Sequence, residues 1–402
     1  MNGADTAWVL TSTALVLLMT LPGLALFYAG LVRVKNSLSV MVQCVAITCL
    51  MSVLWLLGAY SLAFSGDNPI IGDLNRFGLL GMAKDTLKGT IPENVFFMFQ
   101  LTFAVITPGL IVGAYVERIK FSAVLLFSAL WLFIVYAPAC HWVWGGGWLQ
   151  TRGVMDFAGG LVVHATAGVS ALVVAAMLGR RDGFPKDLSP PHNPGMTMIG
   201  AALLWVGWYG FNGGSALTSS GDAGAAILAT HISASTAGIV WAAIEWVRFG
   251  RPSMVGFVTG VVAGLATVTP ASGFVGPLGG LILGAAGACV CFFAVDVIKH
   301  RAKIDDSLDV FAVHGVGGIL GTILVAFLAS PLIGGGGYPV TGGALAQFGI
   351  QLIGVASVIA WSAIATIAIT FVTRLATGLR AKDEEIDDGL DLTYHGERAY
   401  NP

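Results

Sequence analysis

Two histidines set in apolar stretches are the residues of this 402-residue chain best suited to chemistry. His164 lies in DFAGGLVVHATAG, after Asp156 and four residues before Gly168. His314 lies in DVFAVHGVGG, after Asp309 and four residues before Gly318. Both segments read Asp, a short apolar interval, His, then Gly. A neutral imidazole offers one donor and one acceptor without a fixed charge. Such a pair can hydrogen-bond a small polar solute or hand on a proton where charge is costly. A single histidine of this kind is as readily a packing residue. Two at matched positions favour a shared task. They make a poor zinc site, which wants three or four ligands. No Walker sequence, nucleophile elbow or HExxH motif is present, so neither a cofactor, a metal nor an enzymatic reaction is expected.

The elements that must hold these histidines follow from composition. Hydrophobic residues make up 56% of the chain and charged residues 10%, far below the share a water-facing surface needs. Most of the exterior must therefore face a lipid bilayer, and the chain reads as a polytopic, all-α integral membrane protein. The net charge of -2 supplies no basic field for nucleic acid. At about 20 apolar residues per crossing, eleven spans are expected, near 8–31, 38–64, 94–116, 121–142, 157–179, 196–214, 223–247, 253–272, 276–298, 308–330 and 344–373. The split at Thr269-Pro270 and the long last span are the least sharply bounded. No cleavable signal peptide is evident, because MNGADTAW lacks a positive n-region.

Sixteen of the twenty lysines and arginines fall on one side of these spans, leaving Arg76, Lys84, Lys88 and Arg152 on the other. Cytoplasmic loops collect such residues, which puts the N-terminus outside and the C-terminus inside. Five spans separate the two histidine segments, so the copies have opposite orientation. The pattern is a five-plus-five inverted repeat with an eleventh helix added, and such repeats place transport sites near the bilayer midplane. Each histidine lies about 6 Å from its span centre at 1.5 Å per residue, well inside the membrane. On helical spacing, Asp156, Gly160, His164 and Gly168 would line one stripe. Fifty-four glycines suit a tightly packed bundle.

Other polar residues carry less. Cys44, Cys49, Cys140, Cys289 and Cys291 all sit in apolar runs and read as small core hydrophobes rather than a disulfide framework. His231 lies within a span, has no repeat partner, and reads as structural. His141, near the outer end of the fourth span, reads as interfacial. Glu245 and Asp296 lie near cytoplasmic span ends, where they can snorkel or pair.

Eight stretches in order then carry a resemblance. They are PGLALFYAGLVRVKN, FQLTFAVITPGLIVGAYVERIKFSA, HWVWGGGW, DFAGGLVVH, GWYGFNGGSA, TPASGFV, DVFAVHGVGG and GLDLTYHGERAY. Together they resemble the ammonium transporters of the Amt/Mep/Rh superfamily over nearly the whole chain. The resemblance implies an eleven-helix inverted repeat in a homotrimer in the cell membrane, with one pore per subunit. It further implies that Phe103, Trp144 and Ser215 form an outer recruitment site for the ammonium cation, and that Phe103 and Phe211 form a stacked gate. His164 and His314 match the family's pore-lining twin histidines. Asp156 matches its structural aspartate, and Gln100 a position on a polar water route. Trp144 and Ser215 favour the Amt branch over the Rh branch.

An apolar pore would charge an intact cation a large desolvation cost. Burial lowers the pKa of an ammonium group, so the ion can shed a proton and continue as ammonia, whereas potassium has none to lose. Net charge movement is expected, with the proton following a separate route; an electroneutral ammonia channel and an ammonium sensor are the rival readings. The chain divides into a transmembrane domain, 1–380, with halves near 8–179 and 196–330 and the eleventh helix near 344–373, and a polar tail, 381–402. By composition alone the tail reads as solvated or disordered. The resemblance implies instead that it packs against neighbouring subunits and is regulated by a PII-type nitrogen regulatory protein.

Overall fold

A computed structural model describes residues 1–400. The order of the main helices is α1 (Gly3–Leu31), α2 (Val34–Phe64), α3 (Glu93–Tyr115), α4 (Phe121–Thr151), α5 (Gly160–Leu178), α6 (Pro194–Trp208), α7 (Gly221–Phe249), α8 (Met254–Val268), α9 (Pro277–Arg301), α10 (Phe311–Leu328) and α11 (Gly343–Thr377). Two short helices, α12 (Asp383–Asp388) and α13 (Leu390–His395), follow. Among the described residues nine of these are long and apolar enough to cross a membrane. α8, at 15 residues, is shorter than the span expected there, because the chain turns at Thr269-Pro270. Thr269 still holds helical dihedrals, but Pro270 has no N–H to continue the ladder. Strand is confined to a two-residue ladder in a loop, Leu87 pairing with Pro92 and Lys88 with Ile91.

Burial is arranged as lipid demands. α3 is buried along almost its whole length and forms the centre of the bundle. α7 and α11 turn Ile239, Val247, Ile364, Phe371 and Leu375 outward, where hydrocarbon is as good a solvent as the protein interior. Cys49 and Cys289 are exposed among such residues, correcting the expectation that all five cysteines are buried. Cys291 points inward while Cys289 points outward.

The face carrying the C-terminus is tied together by charge. Glu117 lies 3.2 Å from Arg33 and 3.5 Å from Arg181, and Asp305 lies 2.8 Å from Arg181. Burial pushes the Glu117 carboxyl up, but Arg181 and Arg33 outweigh it and hold the group below the usual carboxylate range. Arg118 is fully buried and donates to the carbonyls of Ala114, Val116, Gly179 and Asp305. The tail joins this network rather than standing off in solvent. The Ala381 N–H donates to the Arg118 carbonyl at 2.9 Å. The Asp391 carboxylate accepts the N–H groups of Leu38 and Ser39, at 3.0 and 2.6 Å, at the start of α2. Among the described residues the tail is docked: the Asp391 side chain completes the hydrogen bonding of a helix N-terminus.

Candidate functional site

The two histidine segments meet. His164 Nδ1 lies 3.3 Å from His314 Nδ1, with the rings 5.3 Å apart and nearly parallel at 20°. Each ring sits in a widened π-helical turn at the start of its helix, Gly160–Ala165 in α5 and Phe311–Gly315 in α10. Such turns are rare and recur at functional sites.

Each turn is held from below its first residue by a carboxylate. Asp156 accepts the N–H groups of Gly159, Gly160, Leu161 and Val162 at 2.6 to 3.1 Å. It therefore precedes α5 and caps it, rather than sharing a helical stripe with Gly160, His164 and Gly168; that expectation fails because the helix begins only at Gly160. Gly159, at φ +117°, turns the chain into the helix. In the other repeat the capping carboxylate is Asp306, which accepts from Phe311 N–H at 2.7 Å. Asp156 to His164 and Asp306 to His314 are both intervals of eight. Asp309, five before His314, is not the repeat partner of Asp156 that the sequence suggested. Aligning the two segments from the histidine backward would have found Asp306.

The glycines four residues past each histidine interlock reciprocally. A methyl at Gly168 would strike the backbone of Gly315, beside His314. A methyl at Gly318 would strike the Cβ of His164 and the carbonyl of Gly160. The close approach that brings the rings together depends on both. Gly168→Ala is expected to lower stability by about 1–3 kcal/mol through overpacking and to reduce transport sharply. A thermal melt of the purified protein within a degree of wild type, with full transport, would contradict this.

The aromatic candidates continue the line. Phe103 and Phe211 stack at 4.3 Å, Trp144 meets Phe103 edge-on at 5.8 Å, and Phe211 lies 6.1 Å from His164. Above Phe103 a cavity of about 200 Å³ is lined by Gln100, Phe103, Trp144 and Ser215, with Gln150 and Phe157 as members that sequence reasoning missed. Gln100 is buried, and its Oε1 has no protein partner. Ser215 donates its hydroxyl hydrogen to the Phe211 carbonyl at 2.8 Å. Its lone pairs are thereby left to accept. Trp144 donates to the Asp156 carbonyl at 2.8 Å, so the aspartate that caps α5 also fixes the tryptophan. Below the phenylalanines a void of about 10 Å³, room for one water-sized molecule, is lined by Val163, His164, Trp208, Phe211 and His314. Trp208, also unforeseen, stacks on His164 at 5.5 Å and is fixed by a hydrogen bond to Thr269. His314 also lines a second cavity of about 200 Å³, with Leu31, Arg181, Lys299 and Asp309 on its wall.

Elsewhere, His141 is fully buried, its ring nitrogens 3.0 and 2.6 Å from the carbonyls of Ala63 and Asn68. The Ala63–Asn68 stretch folds over it. His231 is exposed and pairs with Tyr209 at 2.6 Å. Glu245, also buried, accepts from Ser253 N–H at 2.7 Å rather than snorkelling.

Comparison with known proteins identifies the family. A family model described as the Ammonium Transporter Family matches residues 7–400. The chain is 44% identical over 404 residues to an ammonium transporter of Bacillus subtilis, covering 100% of this chain and 99% of that one. It is 43% identical over 401 residues to the ammonium transporter Amt1 of Archaeoglobus fulgidus, covering both completely. Among solved structures it superposes on one titled Sensor Amt Protein with a TM-score of 0.91, at 30% identity and 98% coverage of each chain. It superposes on Candida albicans Mep2 with a TM-score of 0.88 at 35% identity, covering 96% of this chain and 88% of that one. The family is one of transporters rather than enzymes, and with nine apolar helices long enough to cross a membrane among its described residues the chain is a multi-pass membrane protein. The chain belongs to the Ammonium Transporter Family.

Proposed function

We propose that this protein recruits ammonium at an outer aromatic site, deprotonates it, and conducts ammonia past two histidines while the proton crosses separately. The observation that carries this is the unbroken file of rings: Trp144, Phe103, Phe211, His164, His314, running from one 200 Å³ cavity to another. Trp144 and Phe103 present aromatic faces to a cation, and the Ser215 oxygen and Gln100 Oε1 are free to accept its protons. Beneath them the stacked phenylalanines leave no room for an ion with its water, which supports their reading as a gate.

The histidine pair supports passage of a neutral polar molecule. Two neutral rings that share one Nδ1–H···Nδ1 bond must differ at Nε2: the donor ring keeps a bare Nε2, and the acceptor ring carries Nε2–H. His164 Nε2 has no protein partner. The pore thus offers one acceptor and one donor, matching ammonia, which is both.

We further propose eleven spans, with α6 and α8 crossing as well, the N-terminus outside and the C-terminus inside, as the sixteen-to-four division of lysine and arginine requires. The assembly is a homotrimer, and the docked tail is a regulatory segment that a PII-type protein reads from the cytoplasmic face. The likeness to the structure titled Sensor Amt Protein favours one second reading, in which ammonium occupancy is reported with little flux.

The deciding experiment is current from purified proteoliposomes after an ammonium pulse, with potassium as control. A transient, ammonium-specific current is expected. Labelled uptake without current would establish an electroneutral channel, and binding without uptake a sensor.

A further inference from the structure

The cavity below His314 contains one ion pair that the transport path does not explain. Lys299 Nζ lies 2.7 Å from Asp309 Oδ2, both side chains about one-fifth exposed at 19% and 20%, and both line that cavity with His314. Asp309 Oδ1 is buried and has no hydrogen-bond partner. Arg181 also reaches this wall, but it is already matched by Glu117 and Asp305. Lys299 and Asp309 are therefore the charges left facing the cavity. They are held there by backbone: Lys299 in the widened turn Val297–Arg301 that ends α9, and Asp309 at φ +61°, its carbonyl accepting from Val313 N–H at 2.9 Å one residue before His314.

The head group of lysine is itself an ammonium, R–NH3⁺, with three N–H donors and no acceptor. It occupies one oxygen of a carboxylate whose other oxygen is empty, a few residues beyond the last pore histidine. Ammonia leaving the pore takes a proton from hydronium in the cavity, giving ammonium and water. Asp309 is the carboxylate that lines this cavity, and a carboxylate gives a cation its stronger, charge-assisted hydrogen bonds.

We propose that Asp309 is a product-side ammonium-binding site, and that Lys299 is the resident cation that competes with the cargo and speeds its release. The proposal rests on the reading that ammonium nitrogen passes from the Trp144 cavity to this one. Ammonium accumulating on the tail side occupies Asp309 and slows further passage, so the pair sets the sensitivity of transport to its own product.

The test is inhibition by product-side ammonium. Full-length protein in proteoliposomes, depleted of vesicles that a resin captures by an outward C-terminal tag so that the tail faces the lumen in those kept, is loaded with graded ammonium and pulsed outside. Each variant is normalised to its own current at zero luminal load, and the same gradients are used throughout. Asp309→Asn, which tolerates the left-handed backbone, should need about tenfold more luminal ammonium for half-inhibition, the order expected for losing one charge-assisted hydrogen bond. Lys299→Met, which keeps the apolar stem and leaves the carboxylate open, should need several-fold less. Curves that coincide with wild type for both variants would overturn the proposal. If Asp309→Asn does not fold, Lys299→Met alone decides it, since an unchanged or weakened inhibition contradicts competition. Absence of any current in wild type would instead strike at the transport reading itself.

Discussion

Replacing His164 by alanine is expected to let potassium contribute to the current and to cut the ammonium-over-potassium ratio at least about tenfold, or ~1.4 kcal/mol of discrimination. The reason lies in the void of about 10 Å³ between Phe211 and the two rings. It admits one small molecule, and among the described residues that line it His164 Nε2 is a buried polar atom without a partner. Removing one ring both widens the void and destroys the shared Nδ1–Nδ1 bond. Water can then follow an ion into the gap and lower the desolvation cost that had excluded it. His314→Ala should act in the same direction. The double variant should lose little more than either single one, because residues that work through one shared hydrogen bond are not additive. Current and selectivity unchanged in both single variants would remove the histidines from the mechanism. Losses that simply add would show that the rings act independently.

Asp156→Ala should be the most damaging single substitution for folding. Its carboxylate accepts four backbone N–H groups, and an unsatisfied buried donor costs about 1–3 kcal/mol. Even with partial relaxation, the loss is on the order of 3–5 kcal/mol, a large part of the roughly 5–15 kcal/mol that holds a domain folded. Asp156→Asn keeps one acceptor oxygen but turns an NH2 group toward two of the N–H donors, so its defect should be smaller. Because Trp144 hangs from the Asp156 carbonyl, a surviving variant should also bind ammonium more weakly at the outer cavity. The check is a thermal melt in detergent for both variants beside wild type. An Asp156→Ala protein as stable as wild type would mean that water replaces the carboxylate fully.

What the chain made legible divides along physical lines. Long apolar runs interrupted by charge are dictated by the bilayer, so nine spans were readable directly, while α8 fell short where Pro270 ends it. The histidine pair was readable because the inverted repeat writes it twice. Asp306 was not, because Asp309 lay nearer and fitted a looser pattern; only the equal interval of eight distinguishes them. The π-helical turns left no trace in hydropathy, since a wider turn of the same apolar residues is equally apolar. The cover over His141 was not readable, because position along a span gives depth in the membrane and says nothing of what folds over the top. Trp208 was one tryptophan among eleven until α6 brought it against His164.

The tail's attachment has a consequence for the order of biosynthesis. Asp391 and Leu390 meet Asn36, Leu38 and Ser39, partners more than 350 positions earlier in the chain. The first N–H groups of α2 therefore wait, without their carboxylate, until the chain has been made through residue 391. A chain that stops early, or is clipped before residue 390, keeps every membrane helix yet displays an open helix end at its membrane surface. Synthesis of residues 390 and 391 is thus recorded in the state of the α2 N-terminus.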